Sequence, residues 1–516
     1  MHAFRLCCLA MSFRSIFLLF LFFSLTISGC GSGSKNTEPQ LESITISLQI
    51  ESLLAGQTIK LGATGQYSNN ENRDIGSEVM WKTSDDSIAT ISNEDEDRGL
   101  LTAIAPGEVY ITATLNTIES EKLITIHMAT WEKNFGNDVN MEARFVFQTS
   151  NGDFLIVGRL EQQESNWDVY AFMVDVFGDL IWEKAYGDAG DDMAKCAVEI
   201  EGEKYIIAGQ TTVSDGTTDV YLLCVDNEGN VSWEETFGGQ YEDTANSITT
   251  SSDGNLIIAC STQMETIPSG AVSGNGQDWN VSLLKIDKEG NLLWESIVGN
   301  HDNDYGYFNE KAQSVRIVSE GGLIIAGSTN IPSELDDPSG SGSDNLLLLR
   351  VDEGGGLIWR KVFGIFWTTD RGVDAMESQS GGFIVLAEHV AGGPFDPSCH
   401  VIKTDPYGEL EWSEYYKKAD RWGGMGYAIT QAVDKNGYVI AGHNYSYCPE
   451  GVGYYIDLMK INEQGDLVWD KCYKTGTGIS VQQTMDGGYI VVGKSGVVIK
   501  TDENGNVDGL NVCNCE

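Results

Sequence analysis

One phrase returns seven times in this chain and leaves few folds open to it. Trp131, Trp182, Trp233, Trp294, Trp359, Trp412 and Trp469 recur at intervals of 51 to 65 residues, each opening a phrase such as WEKAYG, WEETFG or WRKVFG. Self-similarity at such a period means one supersecondary unit stacked on copies of itself, each covering a face its neighbour cannot bury alone. From the second tryptophan onward, Asp-x-x-Gly stands ahead of the ring: Asp175/Gly178, Asp226/Gly229, Asp287/Gly290, Asp352/Gly355, Asp405/Gly408 and the variant Asn462/Gly465. Asp502/Gly505 repeats it once more, with Gly509 where tryptophan is due. A third phrase sits mid-repeat, as in EKYIIAG, GGLIIAG and GGYIVVG. Each unit thus holds four strand-like runs. In the second they are AKCAVEI, KYIIAG, DVYLLCVD and VSWEETFG.

Four short strands per unit, seven times over, predict a seven-bladed β-propeller across residues 129–510. The tryptophan belongs on the outermost strand, where it can pack between neighbouring sheets. The Asp-x-x-Gly reads as a hairpin turn, its aspartate capping backbone donors and its glycine taking a positive φ. The last unit has only three good strands, and residues 129–136 (ATWEKNFG) form an orphan outer strand. That orphan should complete the last blade and close the ring.

Ahead of the propeller, residues 41–128 show alternating runs of five to eight residues broken by Gly, Asn and Asp, the pattern of an antiparallel sandwich. Ala55-Gly56-Gln57, Val79-x-Trp81, Ser87-Ile88-Ala89-Thr90-Ile91, Ala105-Pro106-Gly107 and Ile111-Thr112-Ala113-Thr114 follow in order. This succession resembles the bacterial immunoglobulin-like group 2 (BIG2) domain, a repeat module of bacterial surface proteins. The resemblance implies a spacer in which Trp81 plugs the core. The expected fold is therefore all-β, an immunoglobulin-like β-sandwich followed by a seven-bladed β-propeller. The propeller repeat is similar to a widespread group of bacterial and archaeal surface propellers that has no single activity. A looser likeness to tryptophan-docking quinoprotein repeats fails on spacing and on the lack of adjacent cysteines after residue 30.

The first thirty residues read as an address. Arg5 and Arg14 precede the apolar run Ile16 to Ile27, twelve residues where a spanning helix needs about 20. The run ends in Ile27-Ser28-Gly29-Cys30, which resembles the lipobox of bacterial lipoproteins. That resemblance implies cleavage after residue 29, acylation of Cys30 and attachment to the cell envelope, with residues 30–40 as a tether. The same reading places the protein at the outer membrane or cell surface. Among the cysteines, Cys196, Cys224 and Cys260 fall at strand positions and read as buried thiols, while the tail 511–516 offers Cys513 to Cys472 or Cys448.

Acids outnumber bases 76 to 32, a formal charge of −44, which repels phosphate backbones and excludes nucleic acid as a partner. Function should sit on the face carrying the blade-to-blade and second-to-third-strand connections, which swell between residues 262 and 453. They carry His301, Asp302, Asp304, Tyr305, Trp367, Asp370, Arg371, Asp420, Arg421, Trp422, His389 and Tyr445. Aromatic platforms beside carboxylates and arginines suit a glycan or a protein hot spot. For Trp367 and Trp422, ligand contact and local loop core stand as equal readings. Asp192, Asp243, Asp370 and Asp420 read rather as structural caps. The histidines after residue 30 show no metal-ligand spacing, no catalytic residue can be assigned, and no cofactor is predicted. Asp502, Asn504, Asn506 and Asp508 resemble a Ca2+ loop, although they overlap the regular turn. A membrane-anchored binding module for glycan or protein is the leading expectation. A glycan hydrolase or lyase and an envelope assembly scaffold are the alternatives.

Overall fold

The computed structural model describes residues 38–48, 52–136, 140–162, 166–187, 190–265, 277–298, 309–331, 344–364, 368–391, 397–416, 422–448, 451–508 and 513–514. All regular structure among them is β.

The N-terminal sandwich runs from Leu41–Ser47 to Ile118–His127 and contains the ladders Leu41–Ser47/Gly62–Tyr67/Asn72–Asp74 and Ser52–Leu54/Ile118–His127/Gly107–Leu115/Met80–Thr83. Alternation along Gly107–Leu115 buries Val109, Ile111 and Ala113 and turns Glu108 and Tyr110 outward. Trp81 is 2% exposed amid Leu61, Leu101 and Ile124, so it is the core plug. At the turn Gly56 (φ +90°) the chain abuts Val176 of the first blade, where an added Cβ would stand 2.6 Å from a Val176 methyl.

Seven antiparallel sheets follow, and in the first six the strands run in sequence order from the inside out. The innermost strands are Met141–Gln148, Asp192–Ile200, Asp243–Thr250, Glu310–Ile317, Thr368–Glu377, Trp422–Gln431 and Gly478–Gln483. The second strands, such as Leu323–Thr329 with every residue buried, explain why the mid-repeat phrase is a continuous apolar run: both faces are covered by neighbouring blades. The orphan strand Trp131–Asn134 pairs antiparallel with Val497–Thr501 and is the fourth strand of the seventh blade. Its register sets Trp131 against Lys500, so the two ends of the propeller share one sheet. Cys513–Asn514 adds a fifth strand, not expected from the sequence, to the sixth blade and brings Cys513 opposite the disulfide-bonded Cys472, one of the two cysteines the sequence offered it.

The Asp-x-x-Gly-x-x-x-Trp motif proves to be a contact between blades. Gly178 takes φ +75° in its turn, and the Asp175 carboxylate accepts the amides of Phe177 (2.9 Å) and Asp179 (2.8 Å). A Cβ on Gly178 would stand 2.8 Å from the ring of Trp131, which belongs to the preceding blade. The relation runs round the ring through Trp182/Gly229, Trp233/Gly290, Trp294/Gly355, Trp359/Gly408, Trp412/Gly465 and Trp469/Gly505. Trp131, Trp182 and Trp233 also donate their indole N–H to backbone oxygens of that next turn, at 2.9, 2.8 and 3.1 Å. One glycine thus meets two demands, a left-handed φ and room for a ring.

Candidate functional site

The innermost strands enter from the face opposite these turns, and each carries a one-residue bulge near its start. A bulge leaves one residue outside the ladder and re-aims its side chain. One bulged residue from each blade, namely Arg144, Lys195, Asn246, Gln313, Val373, Tyr427 and Ile479, lines a central channel of about 890 Å3, and blade six has a further bulge at Gly423. At these channel positions blades one to four present polar or cationic side chains, and blades five to seven apolar or aromatic ones. Lys195 donates to Thr244 Oγ1 and Asn246 Oδ1, both at 2.8 Å. Burial, with the Arg144 and Lys311 charges behind it, brings its ammonium down to about 8.

Three residues before each bulge, blades two to five place a buried acid: Asp192, Asp243, Glu310 and Asp370. In blades two to four the cross-strand partner is a threonine, namely Thr211, Thr262 and Thr329. Burial raises Asp243 to about 6 against the opposing hydrogen bond of Thr262. In blade five the partner is His389. Its Nδ1 lies 2.7 Å from Asp370 Oδ1, and His400 from the next strand brings its own Nδ1 to 3.4 Å from the same oxygen. Thr368 donates to Asp370 at 2.7 Å, and Ser413 holds His400 Nε2 at 2.7 Å. Burial would raise the Asp370 carboxyl, yet the His389 and His400 imidazoles and the Thr368 hydroxyl beside it outweigh burial and hold the group well below the usual carboxylate range. The Tyr415 ring stacks on His400 at 4.0 Å and meets His389 edge-on at 4.7 Å.

Beside this cluster, blade five sends Arg371 and Glu388 to the channel mouth. Arg371 is paired with Asp344 at 2.6 Å, and burial raises Glu388. Blade six adds a run of rings: Tyr427 to His443 at 5.5 Å, His443 to Tyr454 at 4.9 Å, and Tyr454 to Tyr445 at 5.1 Å. Burial takes His443 down to about 4, so it is a neutral ring at physiological pH. Tyr454 is 53% exposed, which leaves an aromatic surface open to solvent. On the same face, Arg159 lies over Trp167 and Lys311 over Trp279, each at 4.2 Å.

Of the residues singled out in the sequence, Asp370, Arg371, His389 and Tyr445 come together on blades five and six. His389 and Tyr445 are strand residues and not loop residues as expected, because the second strands Phe383–Ala391 and Tyr438–Cys448 continue their ladders past the blade edge. Asp370 is more than a cap, since it joins two histidines that the one-dimensional spacing kept apart. Trp422 starts an innermost strand opposite Tyr445, but its side chain lies outside the described residues. His301, Asp302, Asp304, Tyr305, Trp367, Asp420, Arg421 and Cys30 lie outside them altogether. The calcium-like run forms the regular turn: Asp502 Oδ1 accepts the amides of Asn504 and Asn506, and Asn506 Nδ2 donates to Oδ2. His400, Tyr415, Tyr454, Trp167 and Trp279 were missed. Their signal was weak, a ring at the end of a strand phrase, and nothing marks it as solvent-facing before the blade is built.

Among solved structures, the propeller domain of Doa1 matches at 12% identity with a TM-score of 0.41, covering 72% of this chain and 96% of that one. The periplasmic gluconolactonase PpgL of Pseudomonas aeruginosa matches at 10% identity with a TM-score of 0.43, covering 72% and 93%. The exotype rhamnogalacturonan lyase YesX matches at 12% and 0.40, covering 90% and 91%. Among curated proteins, ice-binding protein 1 of Shewanella frigidimarina is 29% identical over 143 residues, or 26% of this chain. The chain spans only 16% of that relative's length. Residues 40–126 match the family of bacterial Ig-like domains, group 2, and this part of the chain is such a domain.

Proposed function

We propose that this chain is a lipoprotein of the bacterial cell envelope whose propeller binds a glycan on the face bearing the blade-to-blade connections. One observation carries the reading: a run of rings leads from Tyr427, which lines the channel with Arg371 and Glu388, through His443 to the exposed ring of Tyr454 and on to Tyr445. Sugar rings present C–H faces that stack on aromatic side chains, while their hydroxyls need carboxylate, amide and guanidinium partners. Both kinds of group stand side by side here. Rigid strands carry them, so little ordering entropy opposes binding. The sandwich abuts the opposite, turn-bearing face at Val176.

Anchoring rests on the run ending in Ile27-Ser28-Gly29-Cys30. With Cys30 acylated, the immunoglobulin-like domain would hold the propeller away from the bilayer. The test is binding of the purified chain to a broad polysaccharide and glycan array, with calcium and with chelator. Signal lost in Tyr454→Ala, Trp367→Ala or Trp422→Ala supports the reading. A silent array under both conditions turns it toward a protein partner. Cys30→Ala should move the protein from the membrane fraction to the soluble one.

A further inference from the structure

We propose that Asp370, His389 and His400 form a binding site for one divalent transition-metal ion of the zinc type. The inference does not depend on the glycan reading. One donor atom each from Asp370, His389 and His400 lies within 4.8 Å of the other two, on three adjacent strands of blade five, and both Nδ1 atoms face Asp370 Oδ1. Two imidazole nitrogens and a carboxylate oxygen are a donor set that zinc accepts, at bonds of about 2.0–2.2 Å. The donor atoms of a tetrahedral site then stand about 3.3 Å apart. The separations of 2.7 and 3.4 Å from the shared oxygen need only a small outward relaxation to reach that spacing.

A separate observation points into the same space. His400 Nδ1 is buried and makes no hydrogen bond, its 3.4 Å approach to Asp370 being an ion-pair distance only. The outer atoms are held as those of metal ligands usually are. Ser413 fixes His400 Nε2, Thr368 fixes the second Asp370 oxygen, and Tyr415 clamps both imidazoles. Blades two to four keep the buried acid with a threonine opposite, so histidine is not required for propeller structure at this position. The counterparts of His400 in those blades are Tyr221, Ser282 and Leu347, none of them an imidazole. A trio of Asp457, Asp470 and Cys472 has similar spacing, but its sulfur is already in a disulfide.

The experiment strips the full chain with chelator and titrates it with Zn2+ by calorimetry. In parallel, Co2+ is added and its visible absorption read as a report on donor number and geometry. The expected result is one equivalent of zinc, a tetrahedral-type cobalt spectrum, and affinity weakened more than about 10-fold in both His389→Gln and His400→Gln. Should Asp370→Asn fail to fold, the two glutamine variants carry the test, with their melting transitions checked first. Two outcomes overturn the proposal. One is no uptake of either metal, which leaves a hydrogen-bonded triad. The other is uptake unchanged in both glutamine variants, which puts the ion elsewhere.

Discussion

The two faces of the propeller follow opposite rules. On the turn face every blade repeats the same solution: an aspartate- or asparagine-capped hairpin whose glycine receives the tryptophan of the blade before. On the other face the equivalent positions diverge. The bulged residue runs from Arg144 to Ile479, and the cross-strand partner of the buried acid changes from threonine to histidine. Ring closure requires seven equal joints, so selection for stability acts alike on every copy. Nothing in the closure constrains what lines the channel mouth, and specialised chemistry can accumulate there.

The largest effect should come from the turn face. Lys500 is fully buried in blade seven, 2.9 Å from Asp486 in the turn between its first two strands. Lys500→Met leaves that carboxylate unpaired and should cost about 3–5 kcal/mol in chemical denaturation. Gly408→Ala adds a Cβ 2.9 Å from the Trp359 ring at φ +79°, for an expected loss of about 2–4 kcal/mol. Gly381→Ala is the control. It has φ +89° but open space around it and should lose only about 1 kcal/mol. If the two alanines cost the same, the ring contact is not what the motif protects.

The other face should respond to pH and to ligand more than to truncation. Asp243 titrates near 6 in the folded chain against about 3.9 unfolded, so the folded state binds the proton more tightly. Its contribution to stability falls as pH rises from 4 through 6 and is flat above 7. Asp243→Asn should therefore stabilise the propeller by about 1–2 kcal/mol at pH 8 and have no effect at pH 4, read from denaturant midpoints. Tyr454→Ala should shift stability by less than about 0.5 kcal/mol while abolishing glycan binding. A large loss of stability there would mean that the ring packs instead of binding.

The repeated joint was legible because it is written in covalent spacing. Asp, Gly and Trp stand at fixed offsets within a hairpin, and the orphan phrase at 129–136 shows on inspection which strand is missing. The immunoglobulin-like domain was legible for the same reason, its landmarks falling in order along residues 41–128. The site was legible only in part. Asp370, Arg371, His389 and Tyr445 could be named as residues of the right kind on the right face, but not as neighbours.

Their meeting depends on strand register, which pairs residue 370 with 389 and 387 with 400 across two ladders. A shift by one residue would turn each side chain to the opposite face of the sheet. The sequence by itself determined the all-β architecture, the count of blades and the way the ring closes, because those follow from local turns and a periodic apolar pattern. Only the tertiary structure decided that two histidines share one carboxylate and that seven bulges line one channel. Such contacts join residues far apart in the chain, and their geometry exists only once the blades are packed.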